Sequence, residues 1–175
     1  MNFARVLPTI TSFLEETGAR FAVIGAVALA AYGMLRTTLD LDFVVDASAR
    51  DDILRFMEAR GYETVRAAGG YSNHRHPDPL WGRVDFMYVS GDTAEKLFAS
   101  CRQGLGPRKQ PIPLPKPEHL VAMKALAIKN DPGRAFQDLA DIRFLWALDG
   151  VDRAEIRSYL ERQGIGEDFD GPEPG

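Results

Sequence analysis

The chain has one cysteine, Cys101, and three histidines among 175 residues. A lone thiol cannot close an intrachain disulfide, so a bridge-stapled secreted scaffold is excluded and a reducing, cytoplasmic setting is expected. No visible histidine stands near Cys101 in the sequence, and a thiol nucleophile is not expected. Long apolar runs are also missing. The longest, Phe21 to Tyr32, contains Gly25 and falls short of the roughly 18 residues that span a bilayer, so no membrane association is expected. The N-terminal stretch MNFARVLPTITSF lacks the apolar centre of a secretory signal. Positive charge is in deficit, with 21 Lys and Arg against 25 Asp and Glu, for a net charge of -4. Sequence-independent nucleic-acid binding draws its affinity from neutralised phosphates, and this balance argues against it. Arg102, Arg108, Lys109 and Lys116 form a small basic stretch among prolines, expected to be a solvated loop.

No internal repeat is present. Biased composition is confined to the proline-rich stretch 107–117 and an acidic, glycine-rich tail, 164–175, expected to be disordered. The length suits one domain of about 100 to 200 residues. We expect it over 1–163, with a core of about 1–104 and a helical C-terminal part of about 117–163. Periodicity and breakers predict a helix at 9–17 closed by Gly18, a buried strand Phe21 to Ile24, and a turn at Gly25. A helix from Ala26 to Met34 and a strand from Leu39 to Val45 follow, the strand ending at Asp46. Asp51 and Asp52 open a helix that stops at Gly61, and Tyr62 to Ala67 reads as strand. Glycine, asparagine and proline make 69–82 a predicted loop. Arg83 to Ser90 reads as strand, Thr93 as the cap of a helix to about Cys101, and Pro117 as a first helical residue. Strands early and helices late predict an α+β domain: a mixed sheet flanked by helices, with a C-terminal helical segment.

Chemistry concentrates in GAVALAAYGMLRTTLDLDFVVD, from Gly25 to Asp46. A helix that begins just after Gly25 presents unpaired backbone N–H groups, a natural seat for phosphate oxygens. On the strand that follows, Asp40 and Asp42 point to one face while Leu41 and Phe43 point to the other. Two adjacent carboxylates repel unless a cation lies between them, and hard oxygen donors suit Mg²⁺ or Mn²⁺. Asp85 is the one acid of the apolar strand Arg83 to Ser90 and completes the set if that strand pairs beside the first. Three carboxylates can hold two ions, one activating an attacking oxygen and one neutralising a leaving pyrophosphate. An Asp-x-Asp pair alone is commonly the wet face of a strand; the ordered context of strand, glycine turn, helix, Asp pair and later strand acid raises it to a candidate metal site.

This arrangement resembles the polymerase-beta-type nucleotidyltransferase superfamily, whose signature is a small-residue turn, a helix, an acid-apolar-acid strand and a third acid on a neighbouring strand. Gly25 with Ala26, Asp40 with Asp42, and Asp85 fill those places. The longer run ALAAYGMLRTTLDLDFVV, in which Arg36 and Thr38 alternate into the Asp pair, is most similar to small bacterial AbiEii-like and related toxin–antitoxin nucleotidyltransferases. The resemblance implies metal-dependent transfer of a nucleoside monophosphate from an NTP to an RNA, protein or small-molecule acceptor, with a toxin or antitoxin partner as one setting. It implies catalytic and metal roles for Asp40, Asp42 and Asp85, and nucleotide contacts from Gly25, Ala26, Arg36 and Thr38. Ala26 departs from the glycine or serine of the signature, keeping the backbone N–H but losing a hydroxyl. A catalytically weak module that binds a nucleotide or a partner protein is the rival reading.

In the helix from Pro117, each residue from Leu120 to Ile128 is apolar except Lys124. Glu118, Ala122, Ala125 and Lys129 share a face expected to meet solvent, which turns Lys124 inward or along an edge, toward a carboxylate or a bound phosphate. The next helix, 134–148, is expected to wet a face with Arg134, Asp138 and Asp141 and to pack Phe136, Leu139, Ile142 and Trp146. By the resemblance Lys124 contacts the triphosphate and Asp138 or Asp141 supports it. His74 and His76, two apart with Asp78 nearby, are weak metal candidates in the predicted loop, and Tyr71 and Trp81 are candidates for stacking on a base.

Overall fold

A stripe of Val6, Leu7, Ile10 and Leu14, all buried, winds the first helix, α1 (Phe3–Glu16), which begins six residues earlier than expected and runs through Pro8. The apolar stripe outweighs the proline, whose missing N–H removes one helical bond close to the N-terminus. The computed structural model describes residues 1–166 and 169, so the tail expected at 164–175 lies largely outside the described residues. The chain divides into two compact units, the first from Met1 to Pro115 and the second from Lys116 onward.

In the first unit a five-stranded mixed sheet has the order β1-β2-β5-β4-β3, built from β1 (Phe21–Ile24), β2 (Asp40–Asp46), β3 (Glu63–Ala68), β4 (Tyr71–Arg75) and β5 (Arg83–Val89). β1 runs antiparallel to β2, and β2 parallel to β5. Leu41, Phe43 and Val45 of β2 lie beside Val84, Phe86 and Tyr88 of β5, all buried, and the Phe43 and Phe86 rings stack with centroids 5.4 Å apart. That apolar pairing locks the register, because a one-residue slip would turn every side chain to the opposite face.

Helix α2 (Gly25–Ala31) is shorter than the expected Ala26 to Met34. Gly33, at φ 111°, ends it: its N–H meets the Ala30 carbonyl at 3.0 Å and that of Met34 meets the Leu29 carbonyl at 2.9 Å. This paired closure of the last carbonyls needs a left-handed residue, which glycine supplies without strain. Helix α3 (Arg50–Ala59) follows a short 3-10 turn at Ala47–Ala49, and α4 (Gly91–Ala99) starts after Ser90, ahead of the predicted cap at Thr93.

Two segments read as loops are strands. β4 lies between β3 and β5, inside the predicted 69–82 loop. Its polar sequence is accommodated because Ser72 and His74, both buried, bond one another at 2.9 Å, while the Ser72 hydroxyl pairs with the Tyr88 hydroxyl at 2.7 Å and His74 Nδ1 with the Thr64 hydroxyl at 3.3 Å. The basic, proline-rich stretch forms a hairpin of β6 (Arg102–Leu105) and β7 (Pro111–Leu114), turning at Arg108 and Lys109. Trp81, one of the chain's two tryptophans, also lies in the first unit, with the Arg5 guanidinium 4.4 Å above its ring.

The second unit holds α5 (Pro117–Asn130), α6 (Ala135–Trp146) and α7 (Arg153–Arg162), with α5 packed against both of the others. Leu120, Val121, Ile142, Leu145, Trp146, Ile156 and Leu160 are buried there. The face of α5 expected to meet solvent is partly enclosed: Ala125 is fully buried and Glu118, also buried, accepts the Asp152 N–H at 2.7 Å. With two helices against it, α5 has too little perimeter left for a full polar face. In α6 the expectation reverses at three positions, since Asp138 and Asp141 are buried while Phe136 is 92 % exposed, whereas Ile142 and Trp146 pack as expected. Among the described residues no helix is long and apolar enough to cross a membrane.

Candidate active site

Strand alternation places Asp40 and Asp42 on the face of the sheet opposite Leu41 and Phe43, and the same alternation on β5 gives that face Arg83 and Asp85. The parallel register sets Asp42 directly beside Asp85 and Asp40 beside Arg83. The Arg83 guanidinium extends along the face, with Nε 3.7 Å from Asp40 Oδ1 and an Nη 3.8 Å from Asp85 Oδ2. On the other side of β5, Asn73 of β4 is the register partner of Asp85. Asp46, the third acid of β2, is occupied otherwise: its carboxylate caps the Ser48 N–H and hydroxyl and meets Arg20 at 2.6 Å, which together hold its carboxyl below the usual range.

The turn at Gly25 comes against this row because β1 pairs antiparallel with β2, aligning Ile24 with Asp42. Gly25 takes φ 63°, and a Cβ there would lie 2.0 Å from Asp42 Oδ2 and 2.8 Å from its Cγ. Glycine is therefore required twice, by its left-handed backbone and by the carboxylate seated against it. Thr38 fixes the start of β2: its hydroxyl donates to the Asp40 carbonyl at 3.2 Å, and the Asp40 N–H donates to the Thr38 hydroxyl oxygen at 3.3 Å. Ala26, Arg36 and Thr38 line one cleft of about 350 Å³, together with Leu35, Leu105 and Pro107. The sequence reasoning missed Arg83, although its spacing of two from Asp85 carries the signal.

The donor set is three carboxylates from adjacent strands. Among the described residues no three His, Cys, Asp or Glu side chains form a ready-made metal cage. Arg83 reaches both Asp40 and Asp85 from this face.

Within the second unit Lys124 is 11 % exposed at its side chain, and its ammonium lies 2.7 Å from Asp138 Oδ1 and 2.7 Å from Asp141 Oδ2. The inward turn of this lysine is as expected, and its counter-charges are carboxylates, both acids sharing it. Arg134 approaches the second oxygen of Asp138 at 3.4 Å. Of the basic stretch, Arg102 lies over the Tyr32 ring at 4.3 Å, Arg108 and Lys109 are exposed, and Lys116 pairs with Glu155. His76 packs against Tyr62 and Trp81, and burial lowers His74 to a pKa of about 4, so the two histidines do not form a metal pair. Tyr71 is partly exposed, whereas Trp81 is engaged by Arg5, Tyr62 and His76. Burial pushes the Cys101 thiol up to about 11, which leaves it protonated and poorly nucleophilic.

No family model matches the sequence, and no curated protein matches it. Solved structures do. The antibiotic-resistance factor ANT(2'')-Ia aligns with a TM-score of 0.69 at 14 % identity, over 93 % of this chain and 92 % of that one. The lincosamide antibiotic adenylyltransferase LnuA aligns at TM-score 0.54 and 17 % identity, over 81 % of this chain and 94 % of that one. An antigenic nucleotidyltransferase-like protein from Paracoccidioides brasiliensis aligns at TM-score 0.57 and 16 % identity, over 99 % and 94 %. The fold is thus nucleotidyltransferase-like, a mixed sheet flanked by helices with a helical C-terminal segment.

Proposed function

We propose, from a fold shared with nucleotidyltransferases and a row of three aspartates on its sheet, that this chain transfers a nucleoside monophosphate from an NTP to an acceptor hydroxyl with the help of Mg²⁺ or Mn²⁺. The observation that carries the reading is the alignment of Asp42 with Asp85 beside the Gly25 turn, where a single added carbon would collide with the carboxylate. Oxygen donors of this kind suit a hard divalent ion, and Asp40, Asp42 and Asp85 would hold it. When bound, such an ion neutralises phosphate charge and makes an attacking hydroxyl more acidic.

The remaining work falls to the chain. The backbone N–H groups at Gly25 and Ala26 hold phosphate oxygens, a contact that needs no side-chain hydroxyl and so tolerates alanine. Arg36 and Thr38, in the cleft beside α2, orient the nucleotide. Asp85 orients the acceptor hydroxyl and takes its proton at a carboxylate oxygen. Lys124, whose ammonium meets Asp138 and Asp141 within the second unit, is the triphosphate contact that the resemblance implies.

A small-molecule acceptor is favoured over an RNA end. Two similar structures, matched along most of both chains, are an antibiotic-resistance factor and an antibiotic adenylyltransferase, and a net charge of -4 gives RNA little attraction. The AbiEii-like resemblance keeps RNA, protein hydroxyls and a toxin or antitoxin partner among the acceptors and partners to be tried. The test offers each α-labelled NTP, with Mg²⁺ or Mn²⁺, to aminoglycosides, lincosamides, total RNA and the protein itself. Label should move to an acceptor with the native chain and not with Asp40→Ala plus Asp42→Ala. Nucleotide binding without transfer to any acceptor would instead support the binding-module reading that Ala26 favours.

A further inference from the structure

Arg83 stands where a cation is needed. Its backbone is the register partner of Asp40, its side chain shares the face of all three aspartates, and its guanidinium is within 4 Å of two of them. Both separations, 3.7 and 3.8 Å, exceed hydrogen-bond length, and the side chain is 54 % exposed. The attraction is therefore Coulombic and water-screened, strong enough to bias where the guanidinium rests and weak enough to yield. An arginine stays charged at any working pH and cannot discharge itself when a second cation arrives. A divalent ion binds carboxylate oxygens at about 2.1 Å and would meet this fixed charge a few ångströms away.

We propose that Arg83 is a tethered counter-ion of the aspartate row, holding Asp40 and Asp85 in the metal-free chain and displaced from them when a divalent metal binds. The inference rests on the metal-site reading above and adds to it that the protein itself competes with its metal. Arg83 thereby lowers metal affinity, and its release frees one guanidinium at the rim of the site for an anion.

The test is a Mn²⁺ titration of the full chain, with free Mn²⁺ followed by electron paramagnetic resonance, for the native protein, Arg83→Gln, Arg83→Met and Asp42→Asn. Removing the guanidinium should tighten Mn²⁺ binding by about 3- to 10-fold, the scale of a screened charge pair, while Asp42→Asn weakens it. If both Arg83 variants bind as the native chain does, or more weakly, and Asp42→Asn still loses affinity, the metal site stands and the counter-ion is overturned. Identical titrations for all four proteins would remove the metal reading and the inference together. A second measurement needs no variant: the Arg83 Nε–Hε resonance of the native chain should shift on adding Mg²⁺, and an unmoved resonance would count against displacement.

Discussion

His74 shows how one residue can be both buried and polar. Its ring nitrogens pair with Ser72 and Thr64, Ser72 pairs with Tyr88, and burial lowers its pKa to about 4. An unfolded chain protonates this histidine near pH 6.5. Between about pH 6.5 and 4 the unfolded state binds the proton and the native state does not, so stability falls as pH drops through that window, by about 3 kcal/mol in total. Urea unfolding at pH 7 and pH 4.5 measures the loss. His74→Gln should unfold with a shallower pH dependence than the native chain, and an equal slope would show that the ring is not held neutral.

At the scale of elements, β1, β2 and β5 were legible from apolar patterning and glycine punctuation, and alternation put Asp40 and Asp42 on one face; that Asp85 lies beside Asp42 comes from the parallel pairing of β2 with β5, which the sequence left open. β4 was not legible. Tyr, Ser, Asn, His and Arg in sequence carry no apolar signal, and what makes them a strand is a set of hydrogen bonds to neighbouring strands. β6 and β7 were hidden by prolines and by a turn at Arg108 and Lys109, residue types that do not advertise positive φ. In α6 the charges misled: Asp138 and Asp141 look like a wet face in one helix and become an interior only when α5 supplies Lys124. That dependence is testable. Lys124→Met leaves two buried carboxylates without their ammonium and should cost about 3 to 5 kcal/mol, seen as a lower unfolding midpoint. An unchanged midpoint would mean that water or Arg134 replaces the lysine.

At the scale of the whole molecule, several basic side chains among the described residues sit in local ion pairs. Arg20 is neutralised by Asp46 and Glu95, Arg55 by Asp52, Lys116 by Glu155, and Lys124 by two acids. The two tryptophans are divided differently, Trp81 in the first unit and Trp146 in the second, where Arg157 lies over its ring at 5.0 Å. Each unit therefore carries its own intrinsic fluorophore. Trp146→Phe leaves an emission that reports on the sheet and its aspartates; Trp81→Phe leaves one that reports on the helical unit. Divalent metal held by the first unit should raise the denaturation midpoint seen through Trp81 by more than that seen through Trp146. Equal shifts in the two colour-matched signals would reveal a single cooperative melt, and the same pair of proteins thus measures how far ligand energy spreads along the chain.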